Sequence, residues 1–513
     1  MRRIVMRKVV IWFAVAAFAG VSLLIILLYA AGPALSAAAR RRTVRYLETS
    51  FKSSAELGDF HASVFPHVHV TVDGVALHYE GRTDIPPLIQ ISRVTLDARF
   101  FGILLPHPII RSVRLEGLQI HIPPHQQGGQ PILHGTDEDL ASKYPVTIGE
   151  VSADNAMLVI LPRDPSKAPR EFALHSLELH SVDLERPANF HAILTNPVPK
   201  GEIDSTGTFG PWNAEDPGVT PASGSYKFEN ADLGTLKGLS GILSSTGKFS
   251  GPLNYLNVEG ETDTPNFSLR TSHHPLALHT DFSAIVDGTN GNTILTSVVA
   301  KFLHSTLNVN GEVVDKTKLK GRTILLDAAA TQARVEDLLC LAVDSDPPLM
   351  TGAARLRAEI EIGEGDEDLI ERMRIDGQFD MSDARFTSPA TERKIETLSL
   401  KGQGKPNESP DGDPVSDLKG KFQVAHGVVT FSELSFSVTG ASVALSGTYN
   451  LDSSEMDFRG KLMMQAKLSQ TTTGAKSFFL KAIDPFFAGK KGGTELPIKI
   501  TGTKDKPEFG LDL

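Results

Sequence analysis

His67 and His69 stand two residues apart in the alternating run HVHVTV, so a strand there presents both imidazoles on one face, with His61 and His78 nearby in sequence. Two such side chains are the beginning of a metal site. No carboxylate or cysteine stands beside them at ligand spacing, and a structural or catalytic metal takes three or four protein donors. A solvated histidine pair is the simpler reading. The acidic stretch Glu359 to Glu371 (EIEIGEGDEDLIE) could attract cations, but it reads as a solvated loop between strands. Cys340 is alone, which excludes an intrachain disulfide and a cysteine-based zinc site. The metalloprotease, serine-hydrolase, Walker, dinucleotide and EF-hand patterns are all missing. The sequence nominates no catalytic group, metal ligand or cofactor and reads as a non-enzyme.

The elements that carry these residues are mostly strands. Period-two alternation recurs in HVHVTV (Val68, Val70, Val72), SVRLEG (Val113, Leu115) and LQIHI (Leu118, Ile120, Ile122). In FSELSFSVTGASVALSGTYNL, Leu434, Phe436 and Val438 face one way and Ser435, Ser437 and Thr439 the other, and Val443 and Leu445 repeat the pattern after Gly440. Each run has one apolar and one polar face, as a solvated antiparallel sheet requires.

A second regularity is an apolar residue, a polar residue, then glycine. It ends at Gly260, Gly311, Gly321, Gly377, Gly402, Gly420, Gly440, Gly447, Gly460 and Gly502. If a strand continues through the glycine, period two puts it on the apolar face, where a missing side chain lets the sheet bend toward that face. Turn glycines after ordinary strands are the alternative for any single case. An aromatic follows two residues after Gly207, Gly247, Gly377 and Gly420, at Phe209, Phe249, Phe379 and Phe422. The spacing is irregular, which excludes a fixed-period solenoid.

Helices are few. Helical spacing marks 34–51, Thr331 to Val343 before Pro347-Pro348, and Ser477 to Ala488 with Phe479, Ile483, Phe486 and Phe487 on one stripe. The last reads as a cap on the sheet or as a surface helix that touches lipid or a partner. Loop composition marks His125 to Thr136, Pro211 to Ser223 and Gly402 to Ser416.

Val9 to Ala39 holds no charged residue, and Trp12, Leu23, Leu24, Ile25, Ile26, Leu27, Leu28 and Tyr29 are its anchor residues. About 20 apolar residues suffice to cross a bilayer, so the run predicts one transmembrane helix. A secretory signal peptide competes, given the small residues Ala34, Ser36, Ala37 and Ala38, but its apolar region is normally ~7–15 residues. Arg2, Arg3, Arg7 and Lys8 precede the run, and Arg40, Arg41, Arg42 and Arg45 follow it, so flanking charge leaves the orientation undecided. Those are eight of the 51 basic residues, in a stretch without acidic ones, which leaves 43 against 61 acidic and a net charge of −18 for 46–513. A nucleic-acid partner needs clustered basic charge and is excluded on this balance.

The chain as a whole resembles the AsmA-like proteins, relatives of TamB and YhdP. The N-terminal resemblance is a single span, a short helix, then VTVDGVALHY, PPLIQISRVTLDARFFGILLP and IIRSVRLEGLQIHI. The C-terminal resemblance is GGTELPIKITGTKDKPEFGLDL, where Leu496, Pro497, Ile500, Gly502, Thr503 and Pro507 match the family's closing pattern. The chain is short beside the large family members, and the Gln/Gly-rich stretch near 126–130 departs from the pattern.

The resemblance implies a bacterial inner-membrane anchor, with the bulk of the chain in the periplasm, and phospholipid as cargo between the inner and outer membranes. It also leaves room for contacts with outer-membrane or other envelope proteins. The expected fold is mainly β: one N-terminal transmembrane helix, then an elongated, strongly curved antiparallel sheet forming an open, taco-like groove, with a few short helices. The expected segments are 1–33 (cytoplasmic tip and span), 34–123 (membrane-proximal unit), 124–145 (linker) and 146–513 (β-groove). Leu434, Phe436, Val438, Val443 and Leu445 are the candidate groove-lining residues.

Overall fold

A computed structural model describes residues 54–512 except 64–66, 79–85, 88, 100–108, 123–146, 161–169, 183–185, 212–216, 289–290, 317–320, 409–415, 473–483, 490–491 and 505. The uncharged run with its anchor residues, the helix expected at 34–51 and the linker 124–145 lie outside the described residues. So does most of the helix expected at 477–488, of which 484–488 are described: Asp484–Phe487 forms a single 3-10 turn and Ala488 bridges Thr494. Among the described residues no helix is long and apolar enough to cross a membrane.

The described chain is mainly β, as the alternation predicts. It divides into two compact units. Unit 1 takes in the chain up to Asp232 with Ser244–Glu261 and Ala284–Thr293; unit 2 takes in Leu233–Leu243, Thr262–Ser283 and everything from Ile294. The strands in chain order begin with β1 (Ser54–Leu57), β2 (Phe60–Ser63), β3 (His67–His78), β4 (Ile89–Arg99), β5 (Ile109–Glu116), β6 (Gln119–Ile122), β7 (Thr147–Ile160), β8 (Arg170–Val182), β9 (Ala188–Pro197), β10 (Lys200–Phe209) and β11 (Pro221–Asp232). The division between units runs through β12 (Leu239–Ser240), β13 (Ile242–Pro252), β14 (Leu256–Leu269), β15 (Leu276–Val286) and β16 (Thr293–Phe302). Then come β17 (Ser305–Val314), β18 (Thr323–Arg334), β19 (Met350–Ile362), β20 (Met373–Phe386), β21 (Asp417–Ala425), β22 (Val428–Val438), β23 (Ala441–Asn450), β24 (Glu455–Met464), β25 (Thr494–Thr503) and β26 (Lys506–Leu511).

Unit 1 corrects the expectation of a purely antiparallel sheet, because β7 runs parallel to both β5 and β6. The cause is local. A reversal at Gly117 would send β6 back beside β5, but β5 and β6 keep one continuous register with β4 on one side and β7 on the other. They are one strand, interrupted at Gly117, whose φ of 64° suits glycine. The chain therefore passes straight through, and the 24 residues between Ile122 and Thr147 are enough for the crossover of a dozen or more that a parallel neighbour requires. One face of β3 to β7 forms the core of this unit. Leu77, Ile89, Leu96, Ile110, Leu115, Leu118 and Ile120 are all under 2% exposed.

In unit 2, β17 to β26 are an uninterrupted antiparallel meander in which every strand pairs with the next. Among the described residues three short helices punctuate it: α1 (Val335–Ala342), α2 (Leu369–Arg372) and α3 (Pro389–Gly402). The α1 helix starts later than the spacing predicts, since Thr331 to Arg334 finish β18. The α3 helix occupies a stretch whose end, Leu400-Lys401-Gly402, reads as a strand terminus in the sequence. Capping chemistry explains this correction: the Ser388 side chain accepts from the Thr391 N–H, and Pro389 takes the first helical position.

Candidate functional site

Glycine and phenylalanine face each other across neighbouring strands. Gly377 on β20 pairs with Phe422 on β21, and Phe379 pairs with Gly420, so the two Gly-x-Phe triplets interlock. A Cβ on Gly377 would lie 2.5 Å from the Phe422 ring, and one on Gly420 would lie 2.7 Å from the Phe379 ring. Each ring thus lies over the glycine opposite it. Seven of the ten glycines singled out by pattern lie inside strands: Gly260, Gly311, Gly377, Gly420, Gly447, Gly460 and Gly502. Gly321 and Gly440 fall between strands, and Gly402 ends α3.

The register of β20 to β25 aligns the apolar side chains into four rows. Met381, Leu418, Phe436, Val443, Leu462 and Leu496 form the first, and Phe379, Gly420, Leu434, Leu445, Gly460 and Ile498 the second. Gly377, Phe422, Phe431, Gly447, Phe458 and Ile500 form the third, and Ile375, Val424, Val429, Tyr449, Met456 and Gly502 the fourth. Three intervals of two residues span about 20 Å along the strands, and six strands span about 24 Å across them. The alternate positions carry the ion pairs of a solvated face, such as Lys419 with Asp380 at 3.2 Å and Lys421 with Glu433 at 3.1 Å.

The ring distances give the apolar face its shape. Phe379 and Phe431 are separated by the whole of β21, yet their centroids are 6.4 Å apart; Phe431 and Phe458, separated by β23, are 5.7 Å apart. Strands two positions apart are about 9.6 Å apart, so the rings converge above the intervening glycines and the apolar face is concave. Unit 1 repeats the device. Phe190 on β9 and Phe249 on β13 meet at 6.5 Å although β10 and β11, with Gly207 and Gly224, lie between them.

The candidate lining residues come together as two direct cross-strand pairs, Leu434 with Leu445 and Phe436 with Val443. All four are half-buried. Val438 is instead buried, clustered with Ala441 and Met464 beside Ile395 and Leu398 of α3, which forms a wall at this margin. Phe431 escapes the sequence pattern, because counting back by two from Leu434 puts it on the polar side. A bulge at Ser432 and Glu433 returns it to the apolar face. The C-terminal motif residues Leu496, Ile500 and Gly502 stand in three of the rows, Pro497 and Thr503 share their strand, and Pro507 pairs with Gly502.

No family model, curated protein or solved structure matches the chain. The chemistry of the face therefore rests on its own geometry.

Among the described residues, the histidines singled out by sequence pair with separate carboxylates. His69 Nδ1 lies 2.7 Å from Asp97 Oδ1 with both side chains about half exposed, and His78 lies 3.6 Å from Glu56 rather than near His69. In unit 2, His279 Nδ1 is 2.7 Å from Asp263, which raises its pKa, and Lys301 at 2.8 Å lowers that of Asp281. Burial, with the nearby Asp337 and Asp346, raises the pKa of the Cys340 thiol and favours its protonated form. A cleft of about 780 Å³ on the polar face of unit 2 is lined by Asn308, Asn310, Asp327, Arg357, Glu359 and Asp376. Its three carboxylates sit directly opposite one another on adjacent strands and are exposed to solvent.

Proposed function

We propose that the chain is a membrane-tethered lipid-handling protein of the AsmA-like kind. In this reading it is anchored in a bacterial inner membrane by Val9 to Ala39, with its β-rich body in the periplasm, and it binds phospholipid non-enzymatically to support outer-membrane biogenesis. The observation that carries the reading is the concave set of four apolar rows, most of whose large side chains are half-buried, with Phe458, Val424 and Val429 the buried members, whereas the core of β3 to β7 holds seven large side chains under 2% exposed. Acyl chains would complete the burial. Each methylene removed from water contributes about 0.8 kcal/mol, so a two-chain lipid is held firmly, while movement between similar rows changes little. The stripe is about 20 Å wide along the strands, more than the ~15 Å of one leaflet's hydrocarbon.

Convergence of Phe379, Phe422, Phe431 and Phe458 favours a second reading, in which the rings fill the concavity and the chain is a structural or assembly factor working by protein contact. Site-specific photocrosslinking separates the two. In the full chain in its host membrane, benzoylphenylalanine at Phe436 is expected to yield lipid adducts by mass spectrometry, and the same probe at Ser437, on the opposite face, none. Protein adducts alone at both positions would replace the lipid reading with the second one.

A further inference from the structure

The Tyr449 hydroxyl is buried and has no hydrogen-bond partner among the described residues. Such a group is costly to leave unmade, by about 1–3 kcal/mol, and calls for an acceptor. Its position limits what that acceptor can be. Tyr449 occupies the fourth apolar row, between Val429 and Met456, one residue before β23 ends. Inward along the same strand lie Gly447, Leu445 and Val443, leading toward the wall formed by α3. Outward lies the β23–β24 turn, whose Asp452 meets Arg270 at 3.6 Å and whose Ser454 carbonyl accepts from the Lys504 N–H at 3.2 Å. The hydroxyl thus stands where a purely apolar lane gives way to a charged rim.

Resting on the lipid reading above, we infer that Tyr449 is a positioning residue that donates a hydrogen bond to the ester carbonyl at the root of an acyl chain. The chain lies inward along β23 and the headgroup sits at the charged rim. A carbonyl at the start of a hydrocarbon tail matches both sides of this boundary, and a chain of about 20 Å fits between Tyr449 and α3. The ligand class is an ester-linked lipid in preference to an ether-linked one.

The test uses the full chain in non-ionic detergent with benzoylphenylalanine at Val443, offered equal amounts of dipalmitoyl and dihexadecyl phosphatidylcholine, which differ only in ester against ether linkage. Adducts of the ester lipid should exceed those of the ether lipid about five-fold, the worth of one ordinary hydrogen bond. Tyr449→Phe, which keeps the ring, should bring the ratio to about one while the total yield stays within two-fold. Equal yields from the unsubstituted chain, or a preference that survives in Tyr449→Phe, would overturn the inference and leave lipid binding standing. No adduct with either lipid would remove both.

Discussion

A phenylalanine ring lying over a glycine is the smallest unit of this fold, and it is sensitive to a single methyl group. Gly420→Val would drive a branched side chain into the Phe379 ring. We expect a loss of about 1–3 kcal/mol in denaturant unfolding, against a change within about 0.5 kcal/mol for Gly363→Ala, where nothing lies within 4 Å. His279 gives a pH signature at the same scale. Its hydrogen bond to Asp263 raises its pKa in the folded chain, so its stabilising contribution is fully present below the unfolded value and disappears as pH rises through the folded one. His279→Gln should therefore lower the melting temperature measurably near pH 5 and leave it unchanged near pH 9. An equal effect at both values would assign the residue a packing role.

At the scale of elements, α3 closes one margin of the apolar stripe with only two large apolar residues, Ile395 and Leu398. Replacing both with serine should cost about 1–3 kcal/mol in stability and raise the crosslinking yield at Val438, which the wall now covers. An unchanged yield would show that α3 does not limit access to the stripe. That helix was hardly legible in the sequence, because Ile395, Leu398 and Leu400 fill less than one amphipathic period; its signal was the Ser388-Pro389 cap. The strands were legible because each has one solvated and one apolar face. Their register was legible only where Gly-x-Phe recurs, since interlocking triplets fix which residues face each other. Phe431 was hidden by the bulge, and Tyr449 by the fact that nothing in a sequence shows whether a hydroxyl finds a partner.

Across the whole molecule the two units spend hydrophobic residues differently. Unit 1 holds the large side chains under 2% exposed, whereas the rows of unit 2 combine half-buried leucines and phenylalanines with the buried Gly377, Gly420, Val424, Val429 and Phe458. Ile120→Ala should cost about 3 kcal/mol, and Leu445→Ala about 1 kcal/mol while reducing lipid adducts at Phe436. If both substitutions cost the same and the adducts persist, the rows of unit 2 serve as an ordinary core. The contrast itself was not legible, because period-two alternation looks alike whether the apolar face is covered or left open.

The parallel pairing of β7 with the interrupted strand β5–β6 bears on how such a chain can change its length. In the β17–β26 meander a hairpin can be inserted or deleted and every remaining strand keeps its direction, so growth two strands at a time disturbs little. Across the parallel seam that exchange is harder, because parallel neighbours cannot be joined by a hairpin and need a crossover of a dozen residues or more. The seam is therefore a fixed origin, and length variation in homologous chains should accumulate as whole hairpins on its C-terminal side.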